Sequence, residues 1–152
     1  MIEYRPAVSS DLPQVTTLLL GMMQEHGVAG PAGPDVQAVL SQALSDEDRL
    51  LLVAETDGRI VGTCSLLFSL NTWTASPACE LQDIVVESAM RGGDIGSGLV
   101  DAASKAAITR GCARLFLLTE AWNLDARSFY RRLGFSDKTC LYFERDLREG
   151  SA

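Results

Sequence analysis

One segment in the second half of the chain limits the fold more than any other. An apolar run that ends at Val86 leads into the glycine-rich stretch 91–96, and apolar residues at helical spacing follow. A strand that enters a helix through a tight glycine turn is typical of an α/β domain. Such a turn leaves backbone N–H groups unpaired at the positive end of the helix dipole. Glycines also let an anion approach closely, so the segment predicts an anion site that suits a diphosphate.

Alternating and helical apolar patterns fill in the rest of the fold. The predicted strands cover 2–8, 50–55, 59–68, 79–86, 114–119 and 140–146, and the predicted helices cover about 12–25, 35–44, 95–110 and 123–133. Asp57-Gly58 is typical of a two-residue hairpin turn, and 27–34 of a loop. Gly111 and Gly134 are expected to end the helices before them. The order of elements predicts a mixed α/β domain.

Composition and charge argue against several classes of protein. The net charge of −7 disfavours non-specific binding to nucleic acid. We see neither a secretory leader nor a run of about 18 apolar residues, so we expect a cytoplasmic protein with no membrane association. The four cysteines are spaced apart and His26 is the only histidine. We therefore predict no metal site, and buried, unreactive thiols.

Two segments resemble motifs of the GNAT superfamily of N-acetyltransferases. The first family motif is V-x-x-x-x-[QR]-x-x-G-x-[GA]; Val86, Arg91 and Gly96 match it, and Asp94 replaces its middle glycine. The second is N-x-x-A-x-x-F-Y-x-x-x-G-F, and 123–135 match it at every specified position. The resemblance covers nearly the whole chain. It implies one GNAT domain over residues 1–152, with a central mixed sheet of six to seven strands flanked by about four helices.

The resemblance implies acetyl-CoA as cosubstrate. Its diphosphate would lie on the glycine turn, and its pantetheine arm along the end of the fourth strand. A backbone N–H near a bulge in that strand would hold the acetyl carbonyl. A carboxylate at Asp94 weakens coenzyme binding if it points inward, but it is favourable if it caps the helix. The residues implied to contact the coenzyme are Ile84, Val85, Val86, Arg91, Gly92, Gly93, Asp94, Ile95, Gly96, Ser97, Asn123 and Tyr130.

Two side chains are implied to carry the proton transfers. Tyr130 stands where the family's tyrosine protonates the departing thiolate. An amine acceptor is mostly protonated at pH 7 and needs a base. Glu80 precedes Arg91 by eleven residues, the separation found for the base in histone-type members. Asp83 is the alternative, and strand alternation predicts that the two carboxylates face opposite sides. We expect direct attack in a ternary complex, without a covalent intermediate.

The family resemblance leaves the acceptor open. We expect a small-molecule primary amine, and the layout looks nearest to aminoalkylphosphonate N-acetyltransferases. The alternatives are a peptide or protein N-acetyltransferase, and an acetyl-CoA-binding regulatory module without turnover, which Asp94 keeps open. Segments 21–34 and 70–77 are expected to shape the acceptor site, and the candidates for its walls are Trp73, Trp122 and His26. Relatives commonly dimerise through their late strands, so the resemblance also implies a homodimer.

Overall fold

The computed structural model describes residues 1–148 and Gly150. It divides into two compact units, the first running from Met1 to Leu118 and the second beginning at Thr119. The elements, in chain order, are β1 (Glu3–Pro6), α1 (Leu12–Glu25), α2 (Gly33–Leu44), β2 (Arg49–Thr56), β3 (Arg59–Asn71), β4 (Ser76–Val86), α3 (Ile95–Thr109), β5 (Arg114–Phe116) and α4 (Leu124–Arg132). Short 3-10 helices occupy Ser9–Asp11 and Ser88–Met90.

The first unit is built on one five-stranded sheet with the order β1-β2-β3-β4-β5. The first four strands pair antiparallel, and β5 runs parallel to β4. The parallel pair arises because α3 carries the chain back along the sheet between β4 and β5. Asp57 and Gly58 join β2 to β3 with φ values of 50° and 74°. Both angles are positive, as a type I′ turn requires, which confirms the predicted hairpin.

Helices cover both faces of this sheet. α1 and α2 pack on one face, in a core that includes Val15, Leu19, Val36, Leu40, Leu51 and Val53. Successive strand residues point to opposite faces, so Ala54 and its partner Gly62 face the other side. On that face α3 packs closely against the sheet, because a Cβ added to Gly62 would lie 3.1 Å from the Cδ1 of Leu99. The side chain of Leu99 is fully buried. These two layers hold β3 and β4 in place from both sides.

The sheet has five strands, so the expectation of six to seven was wrong. The structure assigns no strand to 140–146, and four side chains there and just beyond are exposed by 75–86%: Leu141, Tyr142, Phe143 and Leu147. β5 also ends at Phe116 rather than at residue 119. The alternating pattern of 140–146 suits a strand, but a strand forms only where a neighbouring edge accepts its hydrogen bonds. The local residue pattern alone therefore overestimated the number of strands in the sheet.

The second unit contains α4, which matches the predicted helix closely. Asn123 is its N-cap, with a side-chain oxygen that accepts a hydrogen bond from the Ala126 N–H at 3.1 Å. Gly134 follows the helix with φ 89°, as expected for a C-terminal glycine. Arg131 pairs with Asp137 just beyond the helix. None of the described helices is long and apolar enough to span a membrane.

The cysteines are thiols, and two of them lie deep in the first unit. Cys64 and Cys79 are buried, and loss of water raises the pKa of each thiol to about 12. Thiols with such a pKa carry almost no thiolate at neutral pH and are poor nucleophiles. Cys112 is half-buried, whereas Cys140 is exposed because its segment forms no strand. Across the described residues, no three His, Cys, Asp or Glu side chains are grouped to hold a metal ion.

Candidate active site

The glycine-rich turn between Met90 and α3 is open to approach from outside. Gly92 has φ 83°, a conformation that residues with a side chain rarely adopt. A Cβ added to Gly92 or Gly93 would meet no other atom within 4 Å. The turn therefore exposes bare backbone, with space in front of it for another molecule.

Unpaired N–H groups line this turn. Within residues 1–148 and Gly150, the N–H groups of residues 92–97 have no hydrogen-bond acceptor. The N–H of Gly98 is the first to bond into the helix, to the Asp94 carbonyl at 2.9 Å. α3 is 15 residues long, so its dipole adds partial positive charge at this end. Open space, free N–H groups and a helix N-terminus together form a site that can accept a phosphate group.

Asp94 precedes α3 without capping it. Its side chain accepts no hydrogen bond from the first helical turn, so the expected capping role is not seen. The residue is fixed through its carbonyl oxygen, which accepts from the hydroxyls of Ser97 at 2.9 Å and Tyr4 at 3.4 Å. Among the described residues, no hydrogen bond fixes the carboxylate, whose residue lies directly before the first turn of α3. A charge there is favourable to the helix dipole but opposes an anionic ligand.

Arg91 links this turn to two other elements. Its Nε donates to the Val86 carbonyl at the end of β4, at 2.9 Å. Its Nη2 lies 2.9 Å from the carboxylate of Glu25 at the end of α1. A guanidinium binds the oxygens of a phosphate as readily as those of a carboxylate. An anion in the turn would therefore compete with Glu25 for the guanidinium of Arg91.

β4 carries a bulge two residues before the strand ends at Val86. Val85 pairs with Thr63 and Gln82 pairs with Ser65, so two residues of β4, Asp83 and Ile84, stand opposite one residue of β3. Asp83 has φ 50° in the middle of the strand. A bulge leaves backbone groups out of the ladder. This is the position at which the family resemblance implies the oxyanion N–H, within 84–86.

The bulge also interrupts the alternation expected for the two carboxylates of β4. Arg49 and Glu80 both pair with Leu67, so they lie on one face. Strict alternation predicts that Asp83 faces away from them. Instead Asp83 is within electrostatic range of both: loss of water raises the pKa of its carboxyl group, Arg49 lowers it and Glu80 raises it. The bulge interrupts the alternation on which opposite faces were predicted, so the placement of the two carboxylates on opposite faces stays a prediction.

Tyr130 and Asn123 belong to the second unit. Tyr130 is buried, and its ring packs edge-to-face with those of Phe129 and Phe135, whose centroids lie 5.0 and 5.6 Å away. This packing fixes the direction of the phenol. The Asn123 side chain is occupied as an N-cap, a role the sequence also predicts.

Several residues of this region had no clear signal in the sequence. Arg49 and Gln82 are joined by a hydrogen bond of 3.3 Å, and Glu25 reaches Arg91 across 66 positions. Such contacts depend on strand register and helix placement, which a single sequence does not show. Of the expected acceptor-site walls, Trp73 is 96% and Trp122 71% exposed, so neither contributes to a core.

Several known proteins are similar to this chain in sequence or in fold. The chain is 34% identical over 97 residues to thialysine N-epsilon-acetyltransferase from Bos taurus, a match that covers 59% of this chain and 56% of that protein. The chain thus spans little more than half the length of that relative. A solved structure from Agrobacterium tumefaciens strain C58, assigned to the acetyltransferases, has a TM-score of 0.84 and 26% identity, covering 95% of this chain and 99% of that one.

A further solved structure, described as a transcriptional regulator from Bacillus halodurans C-125, has a TM-score of 0.78 and 28% identity over 94% of this chain and all of that one. The sequence model of the GNAT acetyltransferase family matches residues 18–135. That range contains the bulge, the glycine turn, α3 and α4. The chain therefore belongs to the GNAT family of acetyltransferases.

Proposed function

We propose that residues 1–152 act as one enzyme domain that transfers an acetyl group from acetyl-CoA to the primary amine of a small molecule. The observation that carries this proposal is the glycine turn. It combines unpaired N–H groups at residues 92–97 with open space, directly after a bulged strand. A diphosphate needs such N–H groups, and a thioester carbonyl needs a donor at the bulge.

In this proposal the coenzyme binds along the end of β4 and across the turn. The N–H groups of 92–97 hold the diphosphate, and Arg91 exchanges Glu25 for a phosphate oxygen. The pantetheine arm pairs with the backbone of 84–86, as an added strand would. A backbone N–H at the bulge stabilises the negative charge that develops on the acetyl oxygen. Asn123 contributes from the start of α4.

The proton transfers are assigned to Glu80 and Tyr130. Glu80 takes a proton from the acceptor's ammonium group, directly or through a water molecule. The free amine then attacks the acetyl carbon in the ternary complex, and the carbon–sulfur bond breaks. Tyr130 donates its phenolic proton to the departing thiolate, and its aromatic neighbours hold the hydroxyl in a fixed direction. As the carbon–sulfur bond breaks, the nitrogen loses its second proton, which restores the phenol of Tyr130 directly or through water. The products are a neutral amide and a thiol, Glu80 releases its proton to solvent, and no covalent enzyme intermediate forms.

The acceptor is proposed only as a class. The bovine relative is named for an amine on an amino-acid side chain, and the sequence layout resembles aminoalkylphosphonate N-acetyltransferases. Both kinds of acceptor are small primary amines. Transfer to peptides or proteins is an alternative. A regulatory module that binds acetyl-CoA without turnover is the other alternative. It is favoured by the observation that Asp94, which replaces a glycine of the family motif, does not use its carboxylate to cap α3.

Calorimetric titration with acetyl-CoA tests the proposal. We expect one-site, saturable binding by the unmodified protein. The variant Asp94→Gly should bind roughly two- to fivefold more tightly, since a charge at a helix terminus contributes about 0.3–1 kcal/mol. Asp101→Asn, which removes an exposed charge further along α3, is the matched control and should leave binding unchanged.

Tyr130→Phe then tests the assigned chemistry. It should keep coenzyme binding and lower kcat for amine acetylation, because the ring remains packed while the proton donor is lost. If neither the unmodified protein nor Asp94→Gly binds acetyl-CoA at millimolar concentration, the proposed function is wrong. If coenzyme binds but no amine in a broad panel is acetylated, the regulatory alternative is supported instead.

A further inference from the structure

One ion pair joins the last turn of α1 to the glycine turn. The Glu25 carboxylate lies 2.9 Å from the Nη2 of Arg91, although the two residues are 66 positions apart in the chain. Arg91 is also anchored to β4, because its Nε donates to the carbonyl of Val86 at 2.9 Å. The guanidinium therefore connects the end of a helix to the end of a strand, and the unpaired N–H groups of 92–97 follow it directly in the chain.

The segment around Glu25 has few other attachments. Residues 24–32 are all exposed. The N–H groups of the first three residues after α1 donate back to carbonyls of its last turn, and Gly30 lies against the side chain of Met23. These contacts are with α1 itself. Among the described residues, the bond between Glu25 and Arg91 is the one side-chain hydrogen bond or ion pair that ties this segment to the rest of the protein.

An anion in the glycine turn needs the same guanidinium nitrogen that Glu25 holds. Arg91 is the only cationic residue within 86–97. A phosphate is bound most strongly when two parallel N–H groups of a guanidinium donate to two of its oxygens. Because Nε already donates to Val86, the remaining pair of donors is Nη1 and Nη2. A phosphate that uses this pair must take Nη2 from Glu25.

We propose that the pair between Glu25 and Arg91 is a latch that the coenzyme opens. In the free protein Glu25 competes with the diphosphate for Arg91 and ties segment 24–32 to the glycine turn. When Arg91 donates to a phosphate oxygen instead, Glu25 is released and the segment keeps only its contacts with α1. The inference rests on the proposed function and adds a coupling to it, which is reciprocal: coenzyme loosens the segment, and loosening the segment raises the affinity for coenzyme.

Calorimetric titration of Glu25→Gln with acetyl-CoA tests the competition. A neutral amide holds a guanidinium weakly, so this variant should bind acetyl-CoA about two- to fivefold more tightly, the size expected from an exposed ion pair. Glu87→Gln is the matched control, because it removes a carboxylate that pairs with Arg59 at 2.9 Å and lies four positions before Arg91. Its affinity should be unchanged. No gain in Glu25→Gln, or an equal gain in the control, overturns the inference.

A double-mutant cycle with Arg91→Gln shows whether the gain passes through Arg91. The single variant Arg91→Gln should bind acetyl-CoA more weakly, because a donor to the phosphate is lost. Adding Glu25→Gln to it should then change nothing further, since no guanidinium remains for the two acids to share. If Glu25→Gln tightens binding by the same factor with and without Arg91, its charge acts on the anion from a distance and the latch is wrong.

Quench-flow hydrogen exchange measures the release itself and separates the two proposals. Acetyl-CoA should protect the N–H groups of 92–97, as the proposed function requires. It should also speed exchange of the N–H groups of 26–28 to the rate seen in coenzyme-free Glu25→Gln. Protection at 92–97 with unchanged or slower exchange at 26–28 refutes the latch and leaves the acetyltransferase proposal standing. If acetyl-CoA neither binds in calorimetry nor protects 92–97, both fail together.

Discussion

At the scale of single residues, Asp83 combines two costs that folding alone does not require. It adopts a left-handed backbone conformation inside a strand, and partial loss of water raises the pKa of its carboxyl group, although the residue as a whole is exposed. Strained residues and charged groups without partners tend to persist where binding or chemistry uses them. The same position lies next to the segment 84–86 that is proposed to hold the acetyl group. At the residue scale, the strain and partial desolvation of Asp83 make the bulge a candidate functional position.

The raised pKa of Asp83 has a consequence for stability that can be measured. A carboxyl group with a higher pKa in the folded than in the unfolded state favours folding below the unfolded pKa, and this contribution is lost as pH rises through the folded pKa. Arg49 faces this group and opposes the shift, while Glu80 supports it. Asp83→Asn should therefore melt slightly higher than the unmodified protein at pH 7, and the difference should shrink towards pH 4.

Thermal melts between pH 4 and 7 check this expectation, with Asp101→Asn as control. A constant difference across the range would mean that the gain comes from the backbone or from packing. A lower melting temperature for Asp83→Asn at pH 7 would mean that the carboxylate is stabilised in the folded state, contrary to its raised pKa.

At the scale of elements, α3 is the piece on which the anion site depends. It packs against β3 at Gly62 and against β1 at Gly98, where the ring of Tyr4 lies over the helix. The Tyr4 hydroxyl also reaches the carbonyl of Asp94, so β1 helps to fix the first turn of α3. The position of the helix N-terminus, and with it the unpaired N–H groups, is therefore set by close packing of glycine against an aromatic ring.

Two glycine-to-alanine variants separate helix packing from anion binding. In Gly98→Ala the new Cβ would overlap the ring of Tyr4, so the Tyr4 side chain or the strand that carries it must shift. We expect a loss of about 1–3 kcal/mol in the free energy of unfolding, as for other overpacked sites. Gly93→Ala has open space around its Cβ and should unfold nearly as the unmodified protein does, but it should bind acetyl-CoA less tightly.

Urea unfolding and calorimetry on the two variants test this division. Equal stability of Gly98→Ala and the unmodified protein would show that β1 yields easily and does not fix the helix. Unchanged coenzyme affinity in Gly93→Ala would remove the turn from the proposed binding site.

At the scale of the whole molecule, the sheet ends at β5 while a strand-like segment remains without a place in it. β5 is an outer strand of the order β1-β2-β3-β4-β5, so one of its edges has no neighbouring strand among the residues that the structure describes. Residues 141–147 expose four large apolar side chains. Unpaired edges and exposed apolar surface both favour association with another chain. We propose a homodimer in which segment 140–147 of one copy adds to the β5 edge of the other.

Light scattering coupled to size-exclusion chromatography tests the dimer. The unmodified protein should elute with twice the mass of the chain. Phe143→Asp should shift it to the monomer with unchanged helix content, because a charge on this surface opposes burial. Glu144→Gln, next to it in the chain, should leave the mass of the unmodified protein unchanged. A monomeric unmodified protein, or a dimer that persists in Phe143→Asp, would contradict this arrangement.

The sequence by itself determined the parts of this protein that depend on neighbouring residues. Helix periodicity places α1 and α4 within a residue of their bounds, Asp57-Gly58 defines its hairpin turn, and the motif at 86–96 identifies the turn that opens α3. These features follow from local backbone preferences and from side-chain spacing along one element. The family resemblance rests on the same short motifs, and the family model confirms it.

Only the tertiary structure decided the features that join distant residues. The position of the bulge at Asp83 and Ile84 follows from the register between β3 and β4, and the charges of Glu80 and Arg49 both influence the carboxyl group of Asp83. The pair between Arg91 and Glu25 and the absence of a strand at 140–146 were likewise unforeseen. The structure also decided that the side chain of Asp94 does not cap α3, a point that the sequence left open. Each depends on which hydrogen-bonding edges and charges meet in space. Such contacts are determined by packing between elements, whereas the residue pattern within one element indicates only the conformation which that element prefers.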